Sequence, residues 1–461
     1  MAPAISKIPK PAIKLNRGQK RTIKRILRDV ECGTKRNRKP LILYCCGQAG
    51  TGKSLLIRAL VKLIGLAHVL VCAPVAQAAR LIKGKTVHAA FNLNPFSEEG
   101  DEIPLPSTPH LRLLIIDEVS MLDATLLKRL ERRMRQIMGN EDVVFGGCTV
   151  VFFGDILQIP PVSTYKDTDK PNWIFKSPIW KHLVEYEELE QIMRQESDPE
   201  FGQMLQRWRL GIVTDEDREF LDAKAYENPH FQYVGPVGFV DTVGCFAENY
   251  DETKHQMALA HKNKDIGNLN REITYRFFRS DEMVDVCKDT FTKRNGRTSI
   301  VKSGIKFRVG VGSRVMINKN IGSKLVNGEI ATVHWFSSLR DKVTALQIRL
   351  SNGEVVILDR VKSKVIRGFN NETWRETYPI NSAYASTYHK AQGQTLDDVF
   401  LTTGSGIPPT LFYVGCSRVR TRDGLHIMDL GAADSIAADP EALAEYKRLR
   451  VSAGMSALPN I

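Results

Sequence analysis

The residues with the plainest chemical purpose are GQAGTGKS, Gly47 to Ser54. They match G-x-x-x-x-G-K-[ST], follow the apolar run LILYCC and precede SLLIRALVKLI, the strand–loop–helix setting of a phosphate-cradling loop. Gly47, Gly50 and Gly52, with Thr51 between them, let backbone N–H groups curl around phosphates at a helix N-terminus. Lys53 would neutralise the β- and γ-phosphates of ATP, and the Ser54 hydroxyl would ligate Mg²⁺. Downstream, LRLLIIDE ends in the carboxylates of Asp117 and Glu118. Asp117 would hold Mg²⁺, in part through water, and Glu118 would orient and deprotonate the attacking water. A helix N-cap explains an isolated Asp-Glu pair equally well; its place after a phosphate loop favours the metal reading. A third run, VVFFGD, leads to Gln158, whose amide can accept from water and donate to a γ-phosphate. Asp155 itself also reads as a turn residue.

These motifs need strands to end where they begin. Leu41–Cys46, Val69–Cys72, Leu113–Ile116 and Thr149–Phe153 are apolar runs that predict buried parallel strands. Gln19–Asp29, Ser54–Ile64 and Leu122–Met138 predict the covering helices, the last with Arg and Lys on its polar side. The fold class is therefore α/β. Between Phe91 and Leu111 the chain is rich in Pro, Asp and Glu; Pro95, Pro104, Pro106 and Pro109 forbid a continuous helix. It reads as an inserted hairpin or loop. From about Gly310 to Ile366, apolar and polar residues alternate between Asn327-Gly328 and Asn352-Gly353 turns, which predicts a small β-barrel inserted before the α/β pattern resumes near Ser382.

The 461 residues suffice for two or three domains, and the net charge of +13 favours a polyanionic partner. No apolar run approaches a membrane span, and the basic N-terminus lacks the apolar core of a secretory signal. The eight cysteines form no C-x-x-C pair and read as buried thiols of a reducing intracellular compartment, nucleus or cytoplasm.

With these motifs placed, the chain resembles the superfamily 1 helicases of the PIF type, relatives of RecD and the phage Dda helicase. The resemblance runs in order through LNRGQ (Leu15 to Gln19), DEVSM, VFGG (Val144 to Gly147), GDILQIPPV, IFKSPIW, MRQ (Met193 to Gln195), LVNG (Leu325 to Gly328), STYHKAQGQTL (Ser386 to Leu396) and YVGCSRVRTRDGL (Tyr413 to Leu425). It implies two RecA-like P-loop domains: 1–183, with a small inserted hairpin at about 92–110, and 184–461, interrupted by an SH3-like barrel at about 304–380. It further implies that Gln19 contacts the adenine, that Gly393 adjoins ATP, and that Arg194 and Arg418 reach the phosphates from the second domain. A triphosphate cleft needs such cations, and fingers of this kind contribute roughly 10³–10⁵ in rate.

The same resemblance assigns a nucleic-acid track to Pro74, Val75 and His88 in the first domain and to Asn263, Thr387, His389 and Lys390 in the second. Each histidine also reads as a satisfied structural residue, and Tyr388 as core. The family usually has Thr-Gly where this chain has Val75-Ala76, so a hydroxyl contact is missing there. The implied activity is ATP-dependent 5′→3′ unwinding of DNA, on single-stranded and forked DNA, by a chain monomeric when unbound. An RNA-directed motor is the alternative, since the motor motifs do not read the 2′-hydroxyl. A scaffold with a dead nucleotide site is disfavoured by intact Lys53, Asp117, Glu118, Gln158 and Arg418.

Overall fold

The computed structural model describes residues 15–32, 39–94, 108, 110–161, 171–226, 231–234, 237–240, 242–260, 263–294, 297–322, 325, 327–368, 371–401, 407–427 and 432–459. The expected hairpin at about 92–110 lies mostly outside these residues.

After helix α1 (Arg17–Cys32), strands β1 (Ile42–Cys46), β2 (Val69–Ala73), β3 (Lys85–Thr86), β4 (Leu113–Ile116), β5 (Thr149–Gly154) and β6 (Glu185–Glu188) form one sheet in the order β3-β2-β4-β5-β1-β6. Every pairing in it is parallel. The helices between them are α2 (Lys53–Ile64), α3 (Ala76–Leu81), α4 (Val87–Ala90), α5 (Ala124–Met138) and α6 (Pro178–Leu183). Alternation along the strands divides the core: Leu43, Ile115 and Val151 pack with α1, α2 and α3, whereas Ile42, Tyr44, Leu114 and Phe152 pack with α5 and α6. Burial on both faces is why these strands read as unbroken apolar runs.

Two expectations change here, and a third segment takes a form the sequence did not specify. The helix expected from Leu122 begins at Ala124, because the Asp123 carboxylate accepts from the Leu126 N–H at 2.7 Å and caps it. Two of its basic residues are not on a polar face: Arg133 and Arg129 are buried, donating to the carbonyls of Phe91 at 3.1 Å and Asn94 at 3.2 Å. They anchor the chain where it leaves α4. The VFGG segment is a tight 3₁₀ turn with Phe145 at φ 51° and Gly146 at φ 63°; a Cβ at Gly146 would lie 2.3 Å from the Met138 Cβ.

The next elements are α7 (Pro199–Arg209), α8 (Asp215–Tyr226), the hairpin β7 (Phe231–Val234) and β8 (Val237–Val240), α9 (Thr242–Glu248), β9 (Gln256–Ala260) and α10 (Asn263–Phe277). Nine mostly antiparallel strands follow: β10 (Val284–Arg294), β11 (Arg297–Val309), β12 (Arg314–Ile317), β13 (Ile330–Leu339), β14 (Lys342–Leu350), β15 (Val355–Leu358), β16 (Val361–Gly368), β17 (Asn371–Thr377) and β18 (Ile380–Ser382). This sheet opens at Val284, well before Gly310. Its β13–β14 turn is Arg340-Asp341, with φ of 50° and 59°, and not an Asn-Gly pair. Asn352-Gly353 does sit between β14 and β15, but Asn327-Gly328 lies in the long link that precedes β13.

The chain then completes a second parallel sheet, β19-β9-β20-β21, from β19 (Ala385–Thr387), β20 (Asp398–Leu401) and β21 (Leu425–Ile427). Around it come α11 (Tyr388–Ala391) and α12 (Pro409–Cys416), and α13 (Pro440–Ser452) ends the elements. Two elements past residue 183 pack with the first sheet. Strand β6 pairs with β1, and α13 returns to the first core, where Glu445 accepts from the Trp180 indole N–H at 2.8 Å. Seven of the eight cysteines are buried; burial pushes the thiols of Cys46, Cys72 and Cys148 up to about 12. Among the described residues no helix is long and apolar enough to cross a membrane.

Candidate nucleotide and nucleic-acid sites

The carboxyl ends of β1, β4 and β5 deliver three motifs to one cleft of about 1600 Å³, where parallel α/β sheets bind ligands. After β1 the chain turns through Gly50, at φ 86°, where a Cβ would lie 2.6 Å from the Arg194 Cβ. The Thr51 hydroxyl donates to the Gln48 carbonyl at 3.0 Å, and the Lys53 ammonium donates to the carbonyls of Gly47 at 2.6 Å and Gln48 at 3.0 Å. Lys53 and Ser54 open α2, so the cation, a hydroxyl and the helix N-terminus converge.

At the end of β4, Glu118 takes φ 52°, a left-handed conformation that is rare for glutamate and strained. Burial first, and then the neighbouring Glu118 charge, raise the Asp117 carboxyl to about 7, with Lys53 opposing. Two crowded carboxylates beside an ammonium form a hard-oxygen donor set suited to a divalent cation. From β5, Gln158 donates to Asp155 at 3.1 Å, which fixes the amide's orientation.

The second sheet supplies the opposite wall. Arg418, just past α12, is buried and donates to the Val414 carbonyl at 2.7 Å and the Ser417 hydroxyl at 2.6 Å. Arg194 donates to the Ser417 carbonyl at 2.6 Å. Its backbone, however, sits on the phosphate loop, where the Met193 N–H donates to the Gly50 carbonyl at 2.8 Å. Arg194 therefore bridges the two sides and is not carried by the second sheet. Burial and the like charge of Arg418 lower the Arg194 guanidinium to about 9; burial also lowers Arg418, against Glu118 and Tyr413. Two cations crowded together in a cleft call for a polyanion between them.

Gln392 reaches across the same cleft and donates to Glu118 at 2.9 Å. Gly393 follows it, its Cβ position 3.3 Å from the Glu118 carboxylate. Gln19, which the resemblance places at the adenine, is buried, donating to the Thr51 carbonyl at 3.1 Å and accepting from the Asn16 N–H at 3.1 Å. It braces the phosphate loop from α1.

The residues of the expected track occupy corresponding edges of the two parallel sheets. Edge strand β3 ends in Thr86, whose hydroxyl accepts from the Ala89 N–H at 3.2 Å and caps the short α4 carrying His88. Edge strand β19 ends in Thr387, whose hydroxyl accepts from the Lys390 N–H at 3.2 Å and caps the short α11 carrying His389. Each hydroxyl proton stays available to donate to an anion. The adjoining strands β2 and β9 lead to Pro74 and Val75 and to α10, which Asn263 opens. Tyr388 is buried in the second core and Lys390 is exposed. Burial and Arg129 lower the His88 imidazole below its ordinary value, against Asp123. Sequence reasoning missed three residues of this arrangement. Gln392 lies inside STYHKAQGQTL, Asp155 read as a turn, and Arg209, which donates to Asp155 at 2.8 Å, carries no local signal.

Residues 14–219 match the model of the family described as PIF1-like helicase. The chain is 28% identical to the human ATP-dependent DNA helicase PIF1 over 90% of its own length and 62% of the human protein's. It is 27% identical to the ATP-dependent DNA helicase Pif1 of Bdellovibrio bacteriovorus over 88% of each chain. Its fold matches a Pif1 helicase from Bacteroides, solved in complex with ADP-AlF3 and ssDNA, at a TM-score of 0.72 with 21% identity, covering 96% of this chain and 98% of that one. The chain thus spans less than two thirds of the human relative's length.

Proposed function

We propose, from the premise that this chain is a PIF-type relative of the superfamily 1 helicases, that it hydrolyses ATP to travel along single-stranded DNA, 5′→3′, and to separate the duplex ahead. The observation that carries this reading is the bond from Gln392 to Glu118. Glu118 is the residue suited to activate water, and Gln392 follows directly on the helix that carries His389 and Lys390. The hydrolytic carboxylate and the second sheet's track residues are therefore one hydrogen bond and a few residues apart. A change at the phosphates has a short path to the strand.

In this reading the two parallel sheets are two RecA-like units, the first also holding β6 and α13. The nine-stranded sheet is an SH3-like barrel inserted in the second, and the segment at about 92–110 is a small hairpin in the first. Lys53 binds β- and γ-phosphate oxygens, and Gln158, oriented by Asp155, senses the γ-phosphate. Mg²⁺, when bound by Ser54 and Asp117, neutralises phosphate charge. Glu118 takes the proton of the attacking water, while Arg418 and Arg194 stabilise charge on the transferring phosphoryl group. Pro74, Val75, His88, Asn263, Thr387, His389 and Lys390 hold the strand. The buried thiols suit a reducing intracellular compartment.

The test is ATP turnover with no nucleic acid, with single-stranded DNA and with single-stranded RNA of one sequence. Strong stimulation by DNA is expected. Stimulation by RNA alone would replace DNA with RNA as the track, and turnover indifferent to both would remove the motor reading.

A further inference from the structure

Strands β16, β17, β10 and β11 lie side by side, and their register assigns side chains to two faces. On one face Thr290 lies opposite Arg375 and Lys302, Thr292 opposite Thr373 and Ser299, and Arg294 opposite Asn371 and Arg297, with Lys288 further along β10. The Thr292 and Thr373 hydroxyls meet at 3.0 Å, which confirms that this row shares a face. From Thr290 to Arg294 every paired position of β10, β11 and β17 on this face is a cation, a hydroxyl or an amide, and none is a carboxylate; β16 borders it with Ser363, Ile366 and Gly368. None of Lys288, Arg294, Arg297, Lys302 and Arg375 forms an ion pair among the described residues. Arg294 and Arg297 oppose each other directly, a like-charge pair that costs stability unless an anion meets it.

The other face differs. There Phe291 stacks on Trp374 at 5.7 Å, Lys362 sits over the Trp374 ring at 4.5 Å, and Asp289 accepts from Ser303 at 2.5 Å and Arg360 at 2.6 Å. The aromatic and acidic side chains are thus segregated from the cationic face. From Lys288 to Arg294 that face runs about 20 Å at ~3.4 Å per residue.

We propose that this face docks the sugar–phosphate backbone of duplex DNA ahead of the motor. Cations and hydroxyls on a regular lattice are what phosphate contacts use. Tracks for single strands add aromatic platforms on which bases stack, and the described residues of this face include none. The assignment of DNA rests on the helicase reading; the duplex backbone rests on the face itself.

The experiment compares the full chain with an Arg294→Gln, Arg297→Gln, Lys302→Gln triple variant, all exposed positions. Binding to a blunt DNA duplex, a blunt RNA duplex and single-stranded DNA is measured across a salt series, with melting temperature as a folding control. Duplex DNA affinity should fall at least about tenfold. The slope of log affinity against log salt should flatten by about 0.9 per lost contact. Single-strand affinity and single-strand-stimulated ATPase should hold. Unchanged duplex affinity, or an equal loss on single strands, would overturn the proposal. Tighter binding of the RNA duplex than of the DNA duplex would overturn its DNA assignment. Failure of the helicase reading registers separately, as absence of single-strand-stimulated ATPase in the unaltered chain.

Discussion

Arg209, the last residue of α7, donates two hydrogen bonds of 2.8 Å to the carboxylate of Asp155 at the end of β5. Both side chains are buried, and the guanidinium lies over the Tyr446 ring of α13 at 4.6 Å. Burial alone would raise the Asp155 carboxyl, but Arg209 outweighs it and the net shift is downward. The rest of α7 belongs to the second core, so one ion pair joins that core to the residue orienting Gln158. Replacing Asp155 by Asn leaves a buried guanidinium without its counter-charge. Stability should fall by about 3–5 kcal/mol in a urea titration, and kcat should fall more than KM changes. A variant as stable as the parent would show that the pair is dispensable.

Lys53→Ala should abolish strand-stimulated ATP turnover while leaving single-strand binding nearly unchanged. The Lys53 ammonium donates to the phosphate-loop carbonyls of Gly47 and Gln48. Parallel ATPase and anisotropy titrations check this; near-normal turnover would remove Lys53 from the phosphate site.

Glu118→Gln should bind nucleotide with little change and hydrolyse it at least about a hundredfold more slowly, the scale of general base catalysis. The amide keeps the shape and an oxygen to accept from Gln392, but takes no proton from water. Single-turnover kinetics beside nucleotide binding separate the two effects. Collapse of affinity would make Glu118 structural instead.

Arg422 donates to both carboxylate oxygens of Asp198 and, against burial and with the backbone bonds from Arg422 and Phe201, holds its carboxyl down at about 2. The unfolded value is about 3.9. This stabilisation is therefore complete above about pH 4 and is lost as pH falls through about 2. Asp198→Asn should cost on the order of 1 kcal/mol at neutral pH, and its deficit should shrink as pH falls from about 4 to about 2. A deficit independent of pH would assign the loss to capping alone.

Local chemistry explains how much of this was legible. β4 begins and ends where its apolar run does, and Asp117 and Glu118 follow it as expected. Four buried strands could be read because both faces are covered, which leaves no alternation to mistake. The Arg340-Asp341 turn was hidden because arginine rarely takes positive φ and no glycine follows the aspartate to mark a tight hairpin. The return of α13 to the first core was hidden because Trp180 and Glu445 meet across most of the chain. The bond from Gln19 to the Thr51 carbonyl was hidden because the two residues lie far apart in the chain and no local pattern joins them. Arg129 and Arg133 looked solvated because a helix pattern does not show the carbonyls of Phe91 and Asn94 beneath them.

The central claim, a motor that spends ATP to part DNA strands in one direction, is tested most directly by strand separation on matched duplexes. One duplex carries only a 5′ single-stranded tail and the other only a 3′ tail, both with ATP and Mg²⁺. The expected result is rapid separation of the 5′-tailed duplex, little of the 3′-tailed one, and none of either with Lys53→Ala. Equal separation of both, preference for the 3′ tail, or separation that persists without ATP would contradict the account.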